Sequence, residues 1–144
     1  MKLTKHDKEL IEKAWKLTKK NADIYPDENL IVGCVIKGKS GKIYKGVNMK
    51  TSHSVCAEQV ALGQALANGE REFDTIVATK LDDETGEARV VSPCGVCRYI
   101  FDKFNIKCNV IVADEKSGEI LKVKPKELLP YPYIRNKKTN KRGK

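Results

Sequence analysis

Cys56-Ala57-Glu58 and, 38 residues beyond that first cysteine, the run Pro93-Cys94-Gly95-Val96-Cys97 are the segments of this chain best equipped for chemistry. Together they offer three thiols and one carboxylate. Zinc favours tetrahedral sulfur and nitrogen ligands, and catalytic zinc sites use three protein ligands and leave the fourth position to water. Cys56, Cys94 and Cys97 are that number of ligands. Glu58 stands two residues from a ligand without being needed as one, which leaves its carboxylate free to carry protons. Gly95 lets the backbone come close to a metal, and the i, i+3 spacing of Cys94 and Cys97 puts both sulfurs on one face of a helical turn.

Two helix starts are expected to hold these groups. Val60, Ala61, Leu62, Ala65 and Leu66 form a mostly apolar helix closed by Asn68-Gly69, with Cys56 and Glu58 in its first turn; Val96, Ile100 and Phe104 fall at helical intervals after Cys94. Helix N-termini stabilise negative charge, so both starts are expected to draw charge from the thiolates and help the bound water to ionise near neutral pH. Before them, Thr4-Lys5-His6-Asp7 resembles a capping box, and Leu10, Ile11, Ala14 and Trp15 predict an amphipathic helix to about Asn21. The runs 30–36 and 42–48 around Gly38-Lys39-Ser40-Gly41 predict a β-hairpin. Strands are expected at 73–79 and 108–113, the latter turning at Lys116-Ser117-Gly118 into Ile120–Val123. The acidic stretch 82–87 reads as a surface loop, and a short helix is expected at 125–129. No internal repeat is evident. Strands alternating with apolar helices predict an α/β fold, one sheet covered on both faces in an α/β/α layer.

At 144 residues the chain fits one domain, expected over residues 1–136, that buries about two thirds of its unfolded surface. The start, Met1 to Lys8, has no apolar signal core, and no run approaches the ~20 apolar residues that span a bilayer. A cytoplasmic protein is expected. The five cysteines are an odd number, and Cys-x-x-Cys in that setting points to metal or redox chemistry, with Cys34 and Cys108 as small buried hydrophobes. The formal charge of +9 would favour nucleic acid, but the last ten residues hold six of the basic groups, so residues 137–144 read as a basic, flexible, solubilising tail.

Hydrolytic removal of an amine from a cytosine-type ring needs these parts together: a ligand two residues before a glutamate, then Pro-Cys-x-x-Cys. With those motifs, the chain resembles the cytidine deaminase superfamily and, within it, the blasticidin-S deaminases. Val32-Gly33, Gly46-Val47-Asn48, the run 73–78, Arg89-Val90-Val91-Ser92 and Glu127-Leu128-Leu129-Pro130 extend the resemblance over roughly Leu30 to Asn136. It implies a three-layer sandwich with a five-stranded mixed sheet, one Zn²⁺ per subunit, and a homotetramer whose sites borrow residues from neighbours. It further implies that Cys56, Cys94 and Cys97 bind zinc and that Glu58 shuttles protons. The Ala57 N–H would hold the base carbonyl and the backbone near Ser92 would accept from the leaving amine. Arg89 and Tyr133 match positions that approach substrate. Against that, Arg89 can balance the acidic loop and Tyr133 can pack on the surface between prolines.

Two departures from cytidine deaminases bear on the substrate. Their Asn-x-Glu pair, which reads a ribose hydroxyl, is Asn48-Met49-Lys50 here, and a lysine cannot accept a hydrogen bond. Lys50 suits an acidic sugar such as that of blasticidin S. Gln59 stands where tetrameric cytidine deaminases commonly place an arginine that bonds the thiolates. The expected function is deamination of a cytosine nucleoside, blasticidin S first and cytidine or deoxycytidine as the alternative. A polynucleotide deaminase is disfavoured because those enzymes generally take histidine as first ligand. A non-catalytic zinc module would need a fourth ligand from His53, Cys34 or Cys108 and would leave Glu58 without a role.

Overall fold

The computed structural model describes residues 2–26 and 28–134; the basic tail expected at 137–144 lies outside them. The first helix, α1 (Lys5–Lys20), starts and stops as its sequence predicts. Thr4 Oγ1 accepts from the Asp7 N–H at 3.2 Å, and Asp7 Oδ2 accepts from the Thr4 N–H at 2.8 Å, a reciprocal capping box. Asp7 has a second partner, Lys122 Nζ at 2.7 Å, so one buried carboxylate caps α1 and pins it to the last strand of the sheet.

Burial alone raises the Asp7 pKa, but hydrogen bonds from Lys122 and Thr4 more than reverse this and hold it below the ordinary carboxylate range. A folded pKa below the unfolded value of ~3.9 means that the contribution is complete above about pH 4 and is lost as pH falls through the folded value. Asp7→Ala removes both the side-chain cap of α1 and a buried charge-assisted hydrogen bond, and is therefore expected to cost about 2–4 kcal/mol at pH 7 in urea denaturation. The gap between wild type and Asp7→Asn should narrow towards pH 3.

After α1 and a 3₁₀ turn (Ala22–Ile24) come β1 (Val32–Gly38), β2 (Ile43–Val47), α2 (Ala57–Ala67), β3 (Phe73–Leu81), β4 (Ala88–Val91), α3 (Gly95–Lys103), β5 (Asn109–Ala113), β6 (Ile120–Val123) and α4 (Pro125–Leu128). The sheet runs β2-β1-β3-β5-β6, mixed because β3 and β5 are parallel and the other pairs antiparallel. This is the expected five-strand path with a sixth strand added. β4 pairs with Ala78–Leu81 of β3 while β5 pairs with Thr75–Val77, so both strands share one edge of β3. The sequence pattern does not announce β4, because four residues are too few to display a strand period.

Side-chain alternation sorts the core into two layers. Cys34, Ile36, Ile76, Ala78, Val110 and Val112 meet α2 and α3, whereas Val35, Val77 and Ile111 meet Leu10, Ile11 and Ala14 of α1. Helices on both faces make the α/β/α sandwich. Trp15, expected in the stripe of α1, is partly exposed at its margin. Cys34 and Cys108 are buried, as expected of small apolar residues.

Two glycines set how closely helices approach. A Cβ at Gly33 would stand 2.5 Å from Thr18 Oγ1. One at Gly46 would overlap Ala61 N and stand 2.6 Å from Ala57 O, so β2 lies directly against the α2 backbone.

A short repeat also emerges that was not evident from sequence. Asp82-Asp83-Glu84-Thr85-Gly86-Glu87 and Asp114-Glu115-Lys116-Ser117-Gly118-Glu119 close two hairpins alike. In each, the first Asp carboxylate accepts from the amides two and three residues on, and its carbonyl accepts from a glycine of positive φ.

Candidate metal centre and active site

Cys56 and Cys94 are the N-caps of α2 and α3, and Cys97 lies in the first turn of α3. The sheet's fork brings these starts together. Where β4 ends, Ser92 Oγ donates to Ala113 O at 3.0 Å and accepts from Ala113 N–H at 3.2 Å, tying the end of β4 to the end of β5. Pro93 and Cys94 follow at once. Arg98 then reaches back along α3: its Nε donates to Pro93 O at 2.8 Å and its Nη1 to Leu128 O at 3.3 Å, fixing the cysteine turn against α4.

The Cys56 and Cys94 sulfurs are 3.5 Å apart, those of Cys94 and Cys97 3.7 Å, and all three lie within 4.8 Å of one another. Tetrahedral zinc with Zn–S of ~2.3 Å requires sulfurs about 3.8 Å apart. The donor set fits zinc in number, chemistry and spacing. No fourth His, Cys, Asp or Glu joins the cluster among the described residues: His53 is exposed with its Nδ1 beside Ser52, and Cys34 and Cys108 belong to the core. Such a three-ligand set leaves a position for water, as catalytic zinc sites do.

Electrostatics distinguish the three thiols. Partial burial works against ionisation of Cys94, but the N–H groups of Cys97 and Val96, with its neighbouring thiols, hold its pKa below the ordinary value. That is the expected helix-start effect at α3. Cys56, at the start of α2, does not show that effect: burial first, then the Cys94 thiol and Glu58, raise it against the opposing hydrogen bond of Cys97; Cys97 is pushed far up by burial, with Glu58 and the other two sulfurs adding to the shift. Three sulfurs so close repel as anions, which a divalent cation relieves. Glu58 is buried, and desolvation raises its pKa against the opposing hydrogen bonds of its own amide and of Cys97.

A pocket of about 260 Å³, near the lower end for small-molecule sites at ~300 Å³, opens over this cluster. Val32, Asn48, Lys50, Ser54, Val55, Cys56, Ala57, Glu58, Val91, Ser92 and Cys94 line it. Of the expected site residues it thus gathers Asn48, Lys50, Ala57, Ser92, Glu58 and two cysteines, with the third, Cys97, buried behind them. Ala57 is the first residue of α2, where a helix leaves its amides without intrahelical acceptors. Arg89 and Tyr133 do not line the pocket. Arg89 Nη1 donates to Glu115 at 3.0 Å and its Nε lies 3.5 Å from Asp82, joining the two repeated turns, and Tyr133 is exposed. Tyr25, outside the expected site residues, contacts the pocket wall through Asn48 and Lys50.

Residues 4–113 match the family model described as the cytidine and deoxycytidylate deaminase zinc-binding region. The chain belongs to that deaminase family. Blasticidin-S deaminase of Bacillus cereus is 37% identical over 140 residues, covering 93% of this chain and 96% of that protein. A cytidine deaminase of Shewanella sediminis is 37% identical over 83 residues, covering 54% of this chain but 24% of that longer protein. Solved cytidine deaminases from Bacillus anthracis (TM-score 0.68, 22% identity, 94% of both chains) and Burkholderia pseudomallei (TM-score 0.64, 24% identity, 91% of this chain and 100% of that one) share the fold. This deaminase is a zinc-dependent hydrolase, and Cys56, Cys94 and Cys97 are the group among the described residues placed closely enough to hold a metal ion. Among the described residues no helix is long and apolar enough to cross a membrane.

Proposed function

We propose that the protein hydrolyses the exocyclic amine of a cytosine nucleoside, with blasticidin S as substrate and cytidine or deoxycytidine as the alternative. Water adds its oxygen to C4 of the ring and ammonia leaves. Cys56, Cys94 and Cys97 would hold zinc as thiolates, and the bound metal would supply Lewis-acid activation of water near neutral pH. Glu58 takes a proton from the attacking water and delivers protons to the ring nitrogen and the departing amine. The Ala57 N–H holds the base carbonyl. Ser92 spends its hydroxyl on Ala113, so its backbone is what it offers the leaving amine.

The observation that carries this reading is one pocket that unites the zinc thiols and Glu58 with a cation, Lys50, at its wall. Blasticidin S has a carboxylate on its sugar, and a lysine there suits it better than it suits a neutral ribose. Lys50→Ala is expected to raise the KM for blasticidin S about tenfold in a spectrophotometric assay. An unchanged KM, or wild-type activity confined to cytidine, would refute the blasticidin assignment.

Assembly as a homotetramer is part of the same reading. The exposed residues of α2 include Gly63 and Ala67, and α3 exposes Val96 and Tyr99, apolar groups that a neighbouring subunit would cover. Arg89 and Tyr133, outside the pocket of their own chain, are then candidates to approach substrate in an assembled site. A single deaminase domain over 1–136 in the cytoplasm accords with five cysteines free of disulfides.

A further inference from the structure

Tyr25 joins the pocket from outside it. Its hydroxyl donates to Asn48 O at 2.9 Å and accepts from the Lys50 N–H at 2.7 Å, so one phenol bridges the two residues on either side of Met49. Asn48 is held on its other sides too: its Oδ1 accepts from Val32 N–H at 2.8 Å and its Nδ2 donates to Leu30 O at 2.9 Å. Beyond Lys50 the loop is pinched shut by Met49 and Val55, which exchange two backbone hydrogen bonds of 2.9 Å, and is braced inside by Thr51 and Ser54. The Asn48 amide is thus occupied in anchoring the strand end, while Lys50 faces the pocket and pairs with no carboxylate among the described residues.

A lysine is a strongly hydrated charge on a flexible four-carbon stem, and holding it against a ligand costs rotamer freedom. Fixing the backbone beneath the stem lowers that cost. We propose that Tyr25 is a positioning residue that, by bridging Asn48 and Lys50, sets the cationic wall selecting cytosine nucleosides with an acidic group on the sugar. The inference rests on the assignment of Lys50 made above. It adds that selectivity is built through the segment between α1 and β1, since a lysine on an untethered loop would give a weaker and less directional contact.

The test uses a matched pair, cytidine and cytidine 5′-carboxylate, and the variants Tyr25→Phe, Lys50→Ala and the double. Phenylalanine keeps the ring and removes only the bridge. For wild type, the acidic nucleoside should have the higher kcat/KM, by a margin that shrinks with added salt. Lys50→Ala should lower this ratio about tenfold, and Tyr25→Phe about threefold, through KM for the acidic nucleoside with far smaller change in kcat. The double variant should match Lys50→Ala, because the bridge has nothing left to position. Hydrogen exchange at the Lys50 amide should quicken about tenfold in Tyr25→Phe, independent of any substrate.

Absence of a wild-type preference, or no effect of Lys50→Ala on the ratio, overturns the Lys50 assignment and this proposal together. A normal Lys50 effect with an unaltered ratio or unaltered amide exchange in Tyr25→Phe overturns the role of Tyr25 alone. Equal losses on both nucleosides, or additive effects in the double variant, also overturn it by reducing Tyr25 to a fold support.

Discussion

Glu58→Gln is expected to keep a full complement of zinc while lowering kcat by about 10²–10⁴-fold. The side chain is buried at the head of α2, two residues from Cys56, so an amide of the same shape fits the site without disturbing the sulfurs. What the amide cannot do is accept a proton from water and return it to the ring and the amine. Thermal stability should not fall, because a neutral amide is easier to bury than a carboxylate. Metal analysis beside a turnover assay checks both halves: lost zinc would make Glu58 a support of the metal, and retained activity would remove it from proton transfer.

Cys94→Ser should have the opposite pattern. It removes the central sulfur of the cluster, 3.5 Å from one partner and 3.7 Å from the other, and the one whose ionisation the α3 amides favour. Zinc should fall from one per chain to near none after dialysis against a weak chelator, and deamination with it. Because metal binding is coupled to the folding of its ligands, the variant should also melt earlier and gain nothing from added zinc. Cys34→Ala and Cys108→Ala, which alter only core sulfurs, should retain zinc. They should show instead the modest stability loss of an emptied buried site.

These two outcomes depend on the part of the site most legible in the sequence. Short spacings encode it: Cys56 to Glu58 and Cys94 to Cys97 each fall within one helical turn, so local periodicity places them. The same holds for α1, whose Thr4 and Asp7 announce its cap, and for the hairpin of β1 and β2. What local pattern could not give is anything decided by pairing at a distance. β4 is a strand only because β3 continues past the end of β5, and nothing in Ala88–Val91 records that vacancy. Tyr25 acquires its place through a hydroxyl 23 residues from one partner and 25 from the other. The paired acidic turns could have been found by aligning the chain with itself, since Asp, Thr or Ser, Gly and Glu recur at the same steps. Arg89 and Tyr133 came from resemblance alone, and neither lies at the pocket of a single chain.

The forked edge of β3 has a consequence for how this chain tolerates insertions and deletions. Cys94 follows the last paired residue of β4, Val91, by three positions, and β4 is registered residue by residue on β3. One residue gained or lost within β4 would move everything after it by ~3.3 Å and turn inward side chains outward. The sulfur would then leave the cluster even though the helix behind it stayed intact. A residue gained or lost in the turn at 82–87, which is exposed from Asp83 to Glu87, would instead leave the register of β4 on β3 unchanged. The strand of four residues is a ruler, and its length is as much a part of the metal site as the cysteines are.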